Sequence, residues 1–313
     1  MPCILPWNQQ GTHSPPDLAK GTQGMGDSVT LRNGPCEAVV AALGAELMSW
    51  RINGRELIWH GDARWWPRRA PVLFPVCGWT NGNRMRAKGR EFPCDVHSFG
   101  RDTVFGLEKT SASTARLRLQ DTRETRAVYP FSFDLSVDVS LSETGVSYHF
   151  DVANPGDEIL PYALGFHPGY VWPFDGGEKT DYRIEFAEDE SPFVPRIAPG
   201  GLLTTELLPV PLDGRVLNIS KALERQDDAL IFRDSVSQQV DFVAPSGRRI
   251  SSRSENFPHW VLWSRPGGGY LCVERWAGEG DPVGFTGDIM EKPGMTLLPP
   301  GEHRSYAFVC DFS

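Results

Sequence analysis

The sequence predicts an all-β protein, an antiparallel β-sandwich or a barrel. Three observations carry that prediction. Short runs of alternating apolar and polar residues recur from Val29 to the C-terminus, clusters of turn residues separate them, and helix signals are few. The strands do not alternate with long helical stretches, as a parallel α/β sheet would require.

Residues 1–27 read as a disordered tail, rich in Pro, Gly, Gln, Ser and Thr and without apolar periodicity. Met25, just before the first strand-like residues, reads as an alternative start to Met1. Residues 28–313 read as one β domain. It opens with hairpins: Val29-Thr30-Leu31, a turn at Arg32 to Pro35, then Cys36 to Val40 and Leu47 to Ile52. Asn53-Gly54 is a strong two-residue hairpin signal, after which Glu56 to Trp59 returns. Further strands are predicted at 116–119, 133–139, 147–152, 240–243, 260–263, 270–273 and 305–309. A short helix is predicted at Ser220 to Glu224, where a serine precedes good helix formers. The Gly- and Pro-rich region from Asp175 to Asp213 reads as a long excursion over the sheet rather than a domain boundary.

The chain has 313 residues and a net charge of −9, with no basic stripe, which argues against a nucleic-acid partner. No apolar run reaches the length of a membrane span, so no membrane partner is expected. The six cysteines form no CxxC pair or zinc spacing. With no signal-peptide pattern at the N-terminus, they are expected to be free thiols in a cytoplasmic protein.

Four segments carry residues suited to chemistry. In Leu164 to Phe174 a single histidine, His167, sits among aromatics, glycines and prolines, and Pro168 holds it extended. Arg68-Arg69 precede an apolar strand ending at Gly78. His97 to Asp102 gathers a histidine, an arginine (Arg101) and an aspartate around Gly100. Glu274 follows the apolar run Leu271-Cys272-Val273, where an unpartnered carboxylate is expensive to bury. Each has a plainer reading: a structural histidine, solvated arginines, a surface ion pair. His97, His167 and Glu274 are metal-ligand types, yet no HxH or HExxH spacing is present, so neither metal nor cofactor is expected.

Together these segments resemble the aldose 1-epimerase (galactose mutarotase) superfamily, in its divergent bacterial branch of shorter epimerase-like proteins. The resemblance rests on Pro71-Val72-Leu73-Phe74-Pro75, His97-Ser98-Phe99-Gly100-Arg101-Asp102, Gly165-Phe166-His167-Pro168, Cys272-Val273-Glu274-Arg275-Trp276-Ala277-Gly278, and the closing run from Gly287-Asp288-Ile289 through Lys292, Gly294 and Leu298 to Glu302. These motifs stand in the family's order. Ser98 replaces a usual glycine and Arg275 a usual proline. The resemblance implies a supersandwich of large antiparallel sheets with a sugar cleft on its concave face. It also implies a small-molecule sugar substrate whose α and β anomers interconvert by cofactor-free ring opening and closure.

By the same resemblance Glu274 is the base and His167 the acid. Arg101, His97 and possibly Arg69 bind the sugar, Trp276 or Trp172 offers it an apolar face, and Asp227 (alternatively Asp228) contacts it. The pair is expected to face opposite parts of one pyranose without touching, with Glu274 ionised and His167 protonated beside it. Arg275 is expected to lower the Glu274 pKa. His60, His149 and His303 are expected outside the cleft. Two alternatives remain: a hexose-6-phosphate 1-epimerase, kept open by Arg68, Arg69, Arg84 and Arg101, and a carbohydrate-binding protein that has lost the chemistry.

Overall fold

The computed structural model describes residues 27–224 and 229–313. The expected all-β antiparallel fold is found. Among the described residues, strands form a ten-stranded sheet, a six-stranded sheet, a four-stranded sheet and three two-stranded pairs. The four-stranded sheet is the N-terminal meander Ser28–Asn33, Cys36–Ala41, Leu47–Ile52 and Arg55–Glu56. Its last turn has Asn53 at φ +51° and Gly54 at φ +79°. Both lie in the left-handed region that an Asn-Gly hairpin turn requires.

The ten-stranded sheet carries most of the long strands, among them Asp134–Leu141, Gly145–Ala153, Arg249–Glu255 and His303–Phe312. Each of the first two alternates, burying every second residue against the core. The six-stranded sheet packs across it. Phe166 stacks on Tyr148 at 4.3 Å and meets Phe308 edge-on at 5.2 Å, which joins the two sheets through aromatic contacts. A contiguous cluster of buried apolar residues runs from Leu31 to Phe312.

The predicted short helix is present at Ile219–Glu224, but Asn218, not a serine, caps it. The Asn218 Oδ1 accepts the Lys221 N–H at 3.1 Å. A second helix, Arg123–Val128, was not expected from the sequence. Its capping box uses Thr125 where Glu or Gln is usual: the Thr122 N–H donates to Thr125 Oγ1 (2.8 Å) and the Thr125 N–H to Thr122 Oγ1 (3.2 Å). The region 175–213 is more regular than expected. Arg183–Phe186 joins the ten-stranded sheet, and Phe193–Ile197 pairs with Leu203–Pro209. Pro195 is tolerated because that hairpin is only two strands wide and its register shifts there.

Candidate active site

The central strand of the six-stranded sheet, Tyr270–Ala277, is buried at every position. Side-chain alternation divides it into two faces. Leu271, Val273 and Arg275 belong to the face packed on the ten-stranded sheet. Tyr270, Cys272, Glu274 and Trp276 share the other.

Two short strands pair with this strand in tandem, Leu164–Phe166 beside its end and Gly169–Val171 beside its beginning. The gap between them is His167-Pro168. Phe166 is paired with Arg275 and Gly169 with Cys272, so the register sets His167 alongside Glu274. The His167 N–H donates to Pro71 O (3.2 Å), and Pro168 O accepts the Val273 N–H (3.1 Å). Gly169 has to be glycine, because a Cβ there would come within 2.8 Å of the Trp66 ring.

The imidazole Nε2 of His167 lies 3.4 Å from Oε2 of Glu274, and the indole N–H of Trp276 donates to the same oxygen at 2.8 Å. Trp66 stacks on the His167 ring at 4.8 Å, Trp263 meets it edge-on at 5.7 Å, and His97 does so at 5.5 Å. His97 also stands edge-on to Trp276 at 5.4 Å. The His97 Nδ1 accepts the Gly78 N–H (3.1 Å), so the proton of its neutral ring belongs on Nε2. The backbone there is unusual: His97 and Ser98 sit at φ +64° and +56°. This explains why glycine is usual at the Ser98 position and marks the loop as strained, as functional loops often are.

Arg101 and Arg68 complete this side. Arg68 donates to Arg101 O (2.7 Å) and pairs with Asp102, and Arg101 Nε lies 3.4 Å from Asp102 Oδ2. Both guanidinium groups act on the His97 and His167 rings as like charges.

Burial dominates the electrostatics. His167 is 6% exposed and Glu274 1%. Burial, with the charges of Arg101 and Arg68, pulls the His167 pKa down to about 3, and burial holds the Glu274 carboxyl well above the carboxylate range against the Trp276 bond. Each group is driven toward its neutral form.

Five expectations need correction. The pair touches; it does not stand apart across a ring. Burial opposes both the ionised Glu274 and the protonated His167 that were expected. Arg275 does not tune Glu274, because it lies on the opposite face of the strand. There it donates to Phe257 O and stacks over Trp260 at 4.3 Å, and burial lowers its own pKa to about 9. Arg69 turns away: its Nη1 lies 3.6 Å from the Met48 sulfur, while neighbouring Arg68 takes the site side. Trp172 packs on Phe242 at 6.1 Å beneath Lys179, away from the pair.

Asp227 and Asp228 lie outside the described residues. His60, His149 and His303 are exposed. Trp66 and Trp263 were missed, although the run Arg64-Trp65-Trp66-Pro67-Arg68 was an aromatic and cationic signal. Cys272 was also missed as a site neighbour: donor atoms of His167, Cys272 and Glu274 all lie within 4.8 Å of one another.

The site is a buried histidine–carboxylate pair set among aromatic rings in an antiparallel β-sandwich, and the comparisons give the class of protein that carries this fold. The family model for aldose 1-epimerase matches residues 27–310, and the chain belongs to that family. It is 26% identical over 284 residues to Protein LacX (plasmid) of Lactococcus lactis subsp. lactis, covering 87% of this chain and 95% of that one. Among solved structures it is similar to a galactose mutarotase-like protein from Lactobacillus casei ATCC 334, with 27% identity, a TM-score of 0.85, and coverage of 92% of this chain and 100% of that one. A galactose mutarotase related enzyme from Lactobacillus acidophilus matches at 26% identity and a TM-score of 0.84, over 92% and 97% of the two chains.

Proposed function

We propose that the protein is an aldose 1-epimerase that interconverts the α and β anomers of an unphosphorylated aldohexose. The observation that carries this reading is the 3.4 Å contact between His167 and Glu274. In this reading the two groups, 3.4 Å apart, hold one proton between them, and a proton that either can carry is what the reaction consumes at one atom and returns at another. With the proton on His167, Glu274 takes the proton of the anomeric hydroxyl while His167 protonates the ring oxygen. The bond from C1 to the ring oxygen breaks, C1 turns, and the ring recloses from the other face. The pair holds one proton before and after, so the two residues exchange roles in the reverse direction. Each group is expected to contribute about 10²- to 10⁴-fold.

His97 Nε2–H, Arg101 and Arg68 would hold sugar hydroxyls, and the Trp66, Trp263 and Trp276 rings would cover the apolar face of the sugar. Arg68 and Arg101 also favour the second reading, a hexose-6-phosphate. Asp102 weighs against it, because it already pairs with Arg68 and approaches Arg101. The presence of both His167 and Glu274 favours catalysis over simple sugar binding. Cytoplasmic placement belongs to the same proposal, supported by the free buried thiols of Cys36, Cys77, Cys94, Cys272 and Cys310. A panel of aldoses and their 6-phosphates, followed by polarimetry and exchange NMR, tests the reading. Faster equilibration of a free hexose is expected; faster equilibration of a phosphate, or sugar binding without exchange, overturns it in favour of the corresponding alternative.

A further inference from the structure

Cys272 lies two residues before Glu274 on the same face of the strand, is fully buried, and has no part in the proton transfer described above. With His167 and Glu274 it completes a nitrogen, sulfur and oxygen donor set within 4.8 Å. A tetrahedral zinc site places such atoms roughly 3.3–3.8 Å apart, given bonds of about 2.0–2.3 Å. The His167–Glu274 separation of 3.4 Å already meets that requirement. The remaining closure falls to the thiol and the imidazole. The His167 Nδ1 is buried without a hydrogen-bond partner among the described residues, but Trp66, Trp263 and His97 pack around the ring, so the imidazole contributes only a small shift and the Cys272 side chain supplies the rest.

We propose that a thiophilic divalent cation, zinc or cadmium, binds across His167, Cys272 and Glu274 and arrests the acid–base pair. The cation is an inhibitor in this arrangement, not a cofactor. It takes a lone pair from the thiolate sulfur, one from an imidazole nitrogen and one from a carboxylate oxygen, leaving a fourth position for water. The thiol proton and the proton shared by His167 and Glu274 pass to solvent, so two protons leave per ion and no oxidation or reduction occurs. Affinity therefore rises with pH, by up to about 100-fold per unit while both groups hold their protons. The arrest of catalysis rests on the proposed epimerase reading; the binding itself does not.

The test is a cadmium titration of the full-length chain, read by thiolate-to-cadmium absorption in the ultraviolet and by proton release in weak buffer. One saturable equivalent, two protons released, competition by zinc, loss of the absorption in Cys272→Ala and at least about tenfold weaker binding in Glu274→Gln are expected. Cys272→Ser serves if the alanine variant loses its β-sheet circular dichroism. Absence of a saturable equivalent, or an absorption that survives loss of the Cys272 sulfur, overturns the site. Zinc is expected to slow mutarotation at least about tenfold, with chelation restoring the rate. Metal bound without slowing overturns the arrest, as does a rate that chelation abolishes and a divalent ion restores. If no sugar is interconverted under any condition, the epimerase reading fails while the cadmium titration still decides the site.

Discussion

Oε2 of Glu274 receives two neighbours at once, the His167 Nε2 at 3.4 Å and the Trp276 indole N–H at 2.8 Å. A carboxylate and an imidazole this close titrate as a unit. Neutral Glu274 with neutral His167 and the ion pair of the two carry the same single proton. The protonation state that catalysis needs is therefore available whichever way the proton sits.

The pH profile follows from the sign of each shift. The acid limb is uptake of a second proton, which burial and the charges of Arg101 and Arg68 oppose; it belongs near the depressed His167 value of about 3. The alkaline limb is loss of the last proton, which burial delays by holding Glu274 well above its usual range. The rate, corrected for the uncatalysed reaction, is expected to be flat across the neutral range. A bell narrower than about two pH units around neutrality would contradict the shared proton.

Breaking the pair should give mirror-image profiles. Glu274→Gln and His167→Asn are each expected to lower the rate by about 10²-fold or more, with unchanged circular dichroism. In His167→Asn the residual rate should rise with pH, because the lone Glu274 must ionise. In Glu274→Gln it should rise as pH falls, because the lone His167 must gain a proton. The double variant should lose less than the product of the singles. Parent-like rates in either single variant would remove that residue from the mechanism.

Trp276→Phe removes the donor to Glu274 while keeping an aromatic ring. A hydrogen bond to a charged group is worth about 1.5–3 kcal/mol, so a fall in rate of roughly 10- to 100-fold is expected. Loss of a bond that favours the ionised form also moves the alkaline limb upward. A changed KM with unaltered kcat and pH profile would assign the indole to sugar contact alone.

Ser98→Gly places the residue with the freest backbone at φ +56°. Relief of the left-handed strain is expected to stabilise the protein by up to about 1 kcal/mol, after the added entropy of the unfolded chain is deducted. Thermal unfolding of parent and variant measures it; a lower melting temperature would mean that the Ser98 side chain holds the loop.

Much of the fold was legible because its signals are local. The Asn53-Gly54 turn and the apolar run before Glu274 need no knowledge of distant residues. The His167 and Glu274 assignments came from motif order, and their contact came from register: Phe166 opposite Arg275 and Gly169 opposite Cys272 bring the gap between two strands next to the carboxylate. Nothing in either segment alone encodes that. The Arg68–Arg69 choice was lost for a similar reason, since one step along an extended backbone reverses the side chain and only the fold says which side is the cleft. Arg275 was a different failure. Strand alternation already placed it opposite Glu274, and adjacency in sequence was mistaken for adjacency in space.

The strand Tyr270–Ala277 has a further consequence. Its two faces are occupied by unrelated tasks, cohesion of the sheets on one side and, in the proposed mechanism, proton transfer on the other. Val273 and Arg275 therefore share a backbone with Glu274 but have no exposure to substrate. Substitutions at those positions are expected to act on the proposed chemistry indirectly, because a shifted backbone moves the Glu274 carboxylate. In the proposed mechanism, new substrate ranges are then most accessible through the loops that carry Trp66 and His97, whereas Trp263 ends the strand His259–Trp263 opposite Cys272, so a change there passes its displacement directly to the strand.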